Sequence, residues 1–248
     1  MNTFQTFEQL QNNNKNTNLI EIIREITNTF RDENSSEERM FSSITELRKL
    51  LKYDESAFKI SFDNIHNRLI KKTLYNPNKN ISNELIIYTL IFFGEVFNFQ
   101  NDDINIIFPE DWIGDLYWPI LKYISHEDER IKTTSRKAIF NLCVNIYVTK
   151  KISVLFDTFE DCDVETGKFI YEMFNNFIND IDPINFIYLF DWNFIFGEIN
   201  YDIDNNSQEF IFLKQVFQLI KEKLNENFNV FYNTLNDKSK NVLNHFLK

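Results

Sequence analysis

The residue types able to do chemistry are thinly spread along this chain. His66, His126 and His245 lie far apart, and none has a spacing such as H-x-x-x-H that would set two imidazoles on one helix face for a metal. Asp202-x-Asp204-x-Asn206 repeats the first half of a calcium loop, which needs a Gly for its sharp turn at the sixth position and a bidentate Glu at the twelfth. Those places hold Ser207 and Leu213. Asp161-x-Asp163-x-Glu165 reads as a solvated loop running into a helix N-terminus, where carboxylates meet the positive end of the dipole. Gly94, Gly114, Gly167 and Gly197 are too scattered to build a phosphate-cradling loop. No Ser or Cys stands in a nucleophile setting. The expectation is a chain with no catalytic residues, no metal ligands and no cofactor.

Composition narrows the partners. The 248 residues are 43% apolar and carry a net charge of −11, which disfavours a nucleic-acid backbone or an anionic membrane and suits a basic protein or peptide. Ala (two), Gly (four) and Pro (four) are scarce. Missing Gly and Pro therefore do not mean missing turns. Cys143 and Cys162 make no disulfide framework, no signal pattern opens the chain, and no apolar run reaches the roughly 18 residues of a membrane span. An intracellular, cytoplasmic setting follows as the expectation, with the nucleus open.

The elements read as helices throughout. Residues 1–18 are an Asn-rich tail, expected to be disordered. Leu19, Ile22, Ile23, Ile26 and Phe30 form a helical stripe, and Ser35-Ser36-Glu37-Glu38 caps a helix reaching about Lys52. One helix or two short ones span Phe58 to Leu74. The next, from about Asn83 to Phe99, is apolar nearly all round and belongs between neighbours. The clearest unit lies at 117–148. Pro119 suits a first helical turn, Ser125-His126-Glu127-Asp128 has the form of a cap, and Ile131, Ala138, Ile139, Leu142, Cys143 and Ile146 make one buried stripe. Short-then-long pairing recurs at Ile152–Phe159 and Glu165–Ile178. Residues 184–199 predict a short helix and a buried irregular connection, Ser207–Leu224 a strong helix, and 228–247 one or two more.

The succession Pro119-x-Leu121, Tyr123-Ile124-Ser125, Asp128, Ile131, Ala138-Ile139-x-Asn141-Leu142 resembles the armadillo repeat, and Glu46-Leu47-Arg48-Lys49-Leu50-Leu51 resembles the segment opening the repeat array of importin-alpha-type proteins. Long helices starting near 83, 128, 164 and 208 have the period of armadillo and HEAT arrays. The fold class expected is all-α, a right-handed superhelical solenoid over 19–248, with an irregular multi-helix bundle as the rival. The resemblance implies a concave groove lined by the innermost helices, in which an Asn bonds the backbone of an extended peptide. Asn141 falls on that position, Asn176 is its counterpart one unit on, and Lys137 and Asn145 flank Asn141 on one face. Lys137 stands where importin-alpha-type repeats usually carry a Trp. The implied function is a non-enzymatic adaptor holding an extended or basic protein segment. Two other readings stay open: a structural subunit anchored through Trp112, Trp118 and Trp192, and an unrecognised enzyme.

Overall fold

The computed structural model describes residues 16–75, 81–98, 112–145, 154–159, 162–199 and 203–248. They are helical, with no strand among them. Contacts divide the chain into two compact units, Met1–Leu142 and Cys143–Lys248. The first holds α1 (Asn16–Arg31), α2 (Glu37–Tyr53), α3 (Glu55–Thr73), α4 (Asn83–Phe97), α5 (Trp112–Leu121) and most of α6 (Glu129–Asn145). The second holds a helical turn over 154–158, α7 (Val164–Asn179), α8 (Pro183–Leu189), α9 (Trp192–Glu198), α10 (Gln208–Leu224), α11 (Phe228–Thr234) and α12 (Asp237–Phe246). The expected tail lies largely outside the described residues, and its last three are already in α1.

Short polar residues punctuate a chain poor in Gly and Pro. Ser36, Asp54, Ser82, Asp163, Asp182, Asp191, Ser207 and Asn236 each accept a backbone N–H in the first turn of the helix they cap. Three expectations need correction. Asp128, not Ser125, caps α6: its Oδ1 accepts the Arg130 N–H at 2.9 Å and its carbonyl accepts Lys132 N–H at 3.0 Å. Pro119 lies near the end of α5, because that helix already starts at Trp112. Residues 192–198 are a helix and not an irregular connection, since Asp191 restarts the backbone ladder by accepting Phe194 N–H at 3.1 Å.

In the first unit α2, α4 and α6 lie side by side and parallel, as their cross-contacts ascend together. Glu37 accepts from Ser82 N–H at 2.9 Å, Tyr88 meets Thr45 at 2.8 Å and Glu95 meets Arg48 Nε at 2.6 Å. Between α4 and α6, Asn83 donates to Asp128 at 3.1 Å and Asn141 donates to the Gly94 carbonyl at 2.9 Å. A second row, α1, α3 and α5, packs behind: α3 touches α1, α2, α4 and α5, Lys72 bonds the Asp32 carbonyl, and Tyr123 donates to the Leu74 carbonyl at 2.6 Å. Between the rows sit fully buried Phe30, Phe58, Phe62, Phe92, Phe93 and Phe97. Each such ring contributes about 2–3 kcal/mol by leaving water.

The second unit follows the same habit. α7 packs on α10, α10 on α12, and α9 on α12. Lys223 bonds the Asn179 carbonyl at 3.2 Å, and Asn193 joins the start of α12 through Asn236 N–H at 2.7 Å. Lys238 also bonds the Gly197 carbonyl at 2.6 Å and Ser239 the Asn193 carbonyl at 3.5 Å, so these four bonds join residues 41 to 46 apart, and the cross-contacts named for the first unit join residues 40 to 49 apart.

One half-buried carboxylate stands out in α3. Burial raises the Asp63 carboxyl above its ordinary value, opposed by Lys59 and His66, and its Oδ1 is buried without a hydrogen-bond partner. Asp63→Asn is therefore expected to raise stability at pH 7 by less than about 1 kcal/mol, discounted because the group is only half buried. Below about pH 4, where the unfolded carboxyl is also protonated, wild type and variant should converge. The gap should open as pH rises through the raised folded value, read from urea midpoints across pH.

Candidate functional site

The stripes that α2 and α4 leave toward solvent enclose a cleft of about 600 Å³ lined by Thr45, Arg48, Lys49, Lys52, Tyr88 and Glu95, among others. Its floor is pre-organised. Arg48 forks onto both Glu95 oxygens, with Nε at 2.6 Å from Oε2, and its guanidinium lies 5.1 Å from the Tyr88 ring centroid. The hydrogen bond to Glu95 raises the Arg48 pKa further above an already high ordinary value, so the cation persists at any physiological pH. Thr45 uses its one proton on the Phe41 carbonyl at 2.8 Å, so the Tyr88 hydroxyl is the donor in their 2.8 Å bond. Phe41 completes the wall, its ring 5.4 Å from that of Tyr88.

In this arrangement the polar groups satisfy one another. Its carboxylate is already paired with a guanidinium, and its hydroxyls form a closed chain. Among the described residues no group of three His, Cys, Asp or Glu side chains could hold a metal ion, and no helix is long and apolar enough to cross a membrane.

The residues expected to form the groove are distributed as follows. Lys137 is exposed on α6. Asn141 is half-buried, and its amide is spent on a neighbouring helix: Nδ2 donates to the Gly94 carbonyl, where Cα of Ala138 lies 3.8 Å from the place a Gly94 Cβ would take. In this chain the amide ties α6 to α4. Asn145 ends α6 and falls in the second unit, its side chain outside the described residues. Asn176 is exposed on α7, also in the second unit. Lys137 and Asn141 thus share one helix, and Asn176 belongs to a different body. Of the three proposed tryptophan anchors, Trp118 is 42% exposed, Trp192 is buried with Nε1 bonded to the Phe186 carbonyl at 3.0 Å, and the Trp112 side chain lies outside the described residues. Trp192 is thereby corrected to a core residue.

The Arg48–Glu95–Tyr88 cluster escaped the sequence reading, although a signal existed. Aligning the caps Ser36 and Ser82 sets Arg48 opposite the Gly94-Glu95 step, and the charges then match. No protein-family model and no curated protein matches this chain.

Proposed function

We propose that this chain is a non-enzymatic protein-interaction module, each of its two units a stack of armadillo- or HEAT-like helical pairs. The supporting observation is the narrow band of 40 to 49 residues spanned by the long-range bonds named above, which is the separation between equivalent positions in adjoining repeats of that size; bonds between consecutive short helices, such as Trp192 to Phe186 and Asn244 to Tyr232, span 6 and 12. Such stacking leaves one stripe of each long helix uncovered, and parallel α2, α4 and α6 align three of them into a single face. On this reading Lys137 and the Arg48–Tyr88 floor belong to the binding face, and Asn141 supports it from between the helices. An extended protein segment is the ligand class that a row of parallel helix stripes accommodates.

The test is site-specific photo-crosslinking in the native cell. A benzophenone amino acid replaces Lys49, Ile91 or Lys137 on the face, or Lys71 on α3 as control. The expected result is one and the same protein adduct from the three face positions and none from Lys71. Adducts that are absent, or equal at the control, would remove the reading.

A second reading, that of a structural subunit, draws on α8. There Ile184 and Tyr188 are 56% and 67% exposed one turn apart, with Leu189 beside them at 42%. Short amphipathic helices exposing such residues serve assembly contacts. Concentration-dependent self-association that Tyr188→Ser abolishes would favour it.

A further inference from the structure

We infer that the face formed by α2, α4 and α6 takes an acidic extended segment, an inference that rests on the interaction-module reading and adds the chemistry of the occupant. The chain as a whole carries −11, which steers cations toward most of its surface. This face departs from that trend. Its cations are Arg48, Lys49, Lys52 and Lys137. Its carboxylates are Glu46, held by Lys49 at 2.7 Å, and Glu95, held by Arg48. Neighbouring Asp54 turns its Oδ1 to the Ala57 N–H at 3.0 Å. Toward the helix N-termini Glu84 meets Arg130 at 3.8 Å. What is left is cationic: Lys52 and Lys137 are exposed and have no ion pair among the described residues. Lys52 lies over Tyr53, 5.1 Å from its centroid, and that ring is 76% exposed.

The spacing suits one extended chain. Helix axes about 10 Å apart separate Lys52 from Lys137 by about 20 Å across three helices, and their different places past the caps Ser36 and Asp128 add about 10 Å along the axes, a diagonal of about seven residues at about 3.3 Å each. Between them, beside the Arg48–Glu95 pair, the face exposes apolar side chains, Ile91 at 38% and Phe140 at 49%. A segment laid across it points alternate side chains downward, so carboxylates reach the two lysines while aliphatic side chains cover Ile91 and Phe140. A basic segment would set like charges against the two unpaired lysines here. The basic partner suggested by net charge therefore suits other surfaces.

The probes are fluorescein-labelled peptides of about eight residues, alternating glutamate with leucine, lysine with leucine, or serine with leucine, titrated onto the full chain by fluorescence anisotropy. The glutamate peptide is expected to bind, more weakly as salt rises. Lys52→Glu/Lys137→Glu should lower its affinity at least about tenfold with circular dichroism unchanged, whereas Lys71→Glu/Lys168→Glu, the same change in net charge placed elsewhere, should alter it less than about twofold. Preference for the lysine peptide at this face would overturn the acidic occupant and leave the module reading standing. Equal loss from both charge-reversed pairs would mean non-specific attraction and would overturn it as well. Failure of the glutamate and lysine peptides alike to exceed the serine peptide would remove both readings.

Discussion

Gly167→Ala is expected to destabilise the second unit by about 2 kcal/mol, although Ala is the better helix former by about 1 kcal/mol. The reason is contact. A Cβ at Gly167 in α7 would lie 2.2, 2.6 and 2.7 Å from three ring carbons of Phe212 in α10, far inside van der Waals distance. The ring has nowhere to go: Phe212 is 5% exposed and stacks on Phe159, itself 1% exposed, at 5.8 Å between centroids. Accommodation requires α7 and α10 to part, and parting loosens every contact along that pair. Urea midpoints read the cost. Phe212→Leu alone should cost about 1–2 kcal/mol for the space it leaves, yet in the Gly167→Ala background it should cost nothing or restore stability, because the new methyl fills that space. A strongly non-additive cycle identifies the overlap as the cause. Gly167→Ala that stabilises by its helix propensity would show instead that the two helices do not approach this closely.

That contact also shows where legibility in the sequence stops. The helices were legible because each carries its own signal within a few residues: the stripe Leu19, Ile23, Ile26 and Phe30 for α1, the Asp182-Pro183 start for α8, the Ser207 cap for α10. The near-regular spacing of long helices was legible too, and it agrees with the register in which Glu37 meets Ser82 and Asn83 meets Asp128. Contacts between helices were not. Gly167 is one glycine among four, and nothing near it names Phe212 as its neighbour. Residues 184–199 misled for a related reason. Phe186, Phe190, Trp192 and Phe196 recur with both strand-like and helix-like intervals, and the deciding information is the break at Asp191, which lets both short helices bury rings on one core.

The site was half legible. Lys137 and Asn141 were correctly set on one helix, because helical period alone decides that. What Asn141 bonds was not decided by period. An amide can serve a bound backbone or a neighbouring helix equally well, and the sequence around Asn141 does not name the Gly94 carbonyl, which its Nδ2 meets at 2.9 Å. The cleft floor depends on pairing Arg48 with Glu95 across two helices, so it needed a cap-to-cap alignment rather than a motif. Charge was legible only in sum: −11 describes the chain and hides a face on which the carboxylates are already paired and two lysines are not.

Phe217→Ala should be the most damaging single truncation, at about 3–5 kcal/mol. Phe217 is fully buried in α10 and its ring is shared by three other elements. It lies 4.9 Å from Phe196 of α9, 5.1 Å from Phe246 of α12, nearly parallel at 11°, and 6.1 Å from Phe156 in the turn over 154–158. Each pair adds about 0.5–1.5 kcal/mol beyond burial, and none of the partners can replace the others' contacts once the ring is gone. Because α9 and the 154–158 turn have only one or two turns of helix, they have little hydrogen-bonded structure of their own. Their order depends on this cluster. The variant is therefore expected to lose near-ultraviolet circular dichroism from its aromatic core and become sensitive to proteolysis near 154–158 and 192–198, while the longer α7 and α10 keep most of the far-ultraviolet helical signal. Phe217→Leu, which keeps most of the volume, should cost about 1–2 kcal/mol and retain the near-ultraviolet signal. If Phe217→Ala costs no more than Phe217→Leu, the four rings do not act as one cluster. α9 would then be held by its cap, Asp191, rather than by the core beneath it.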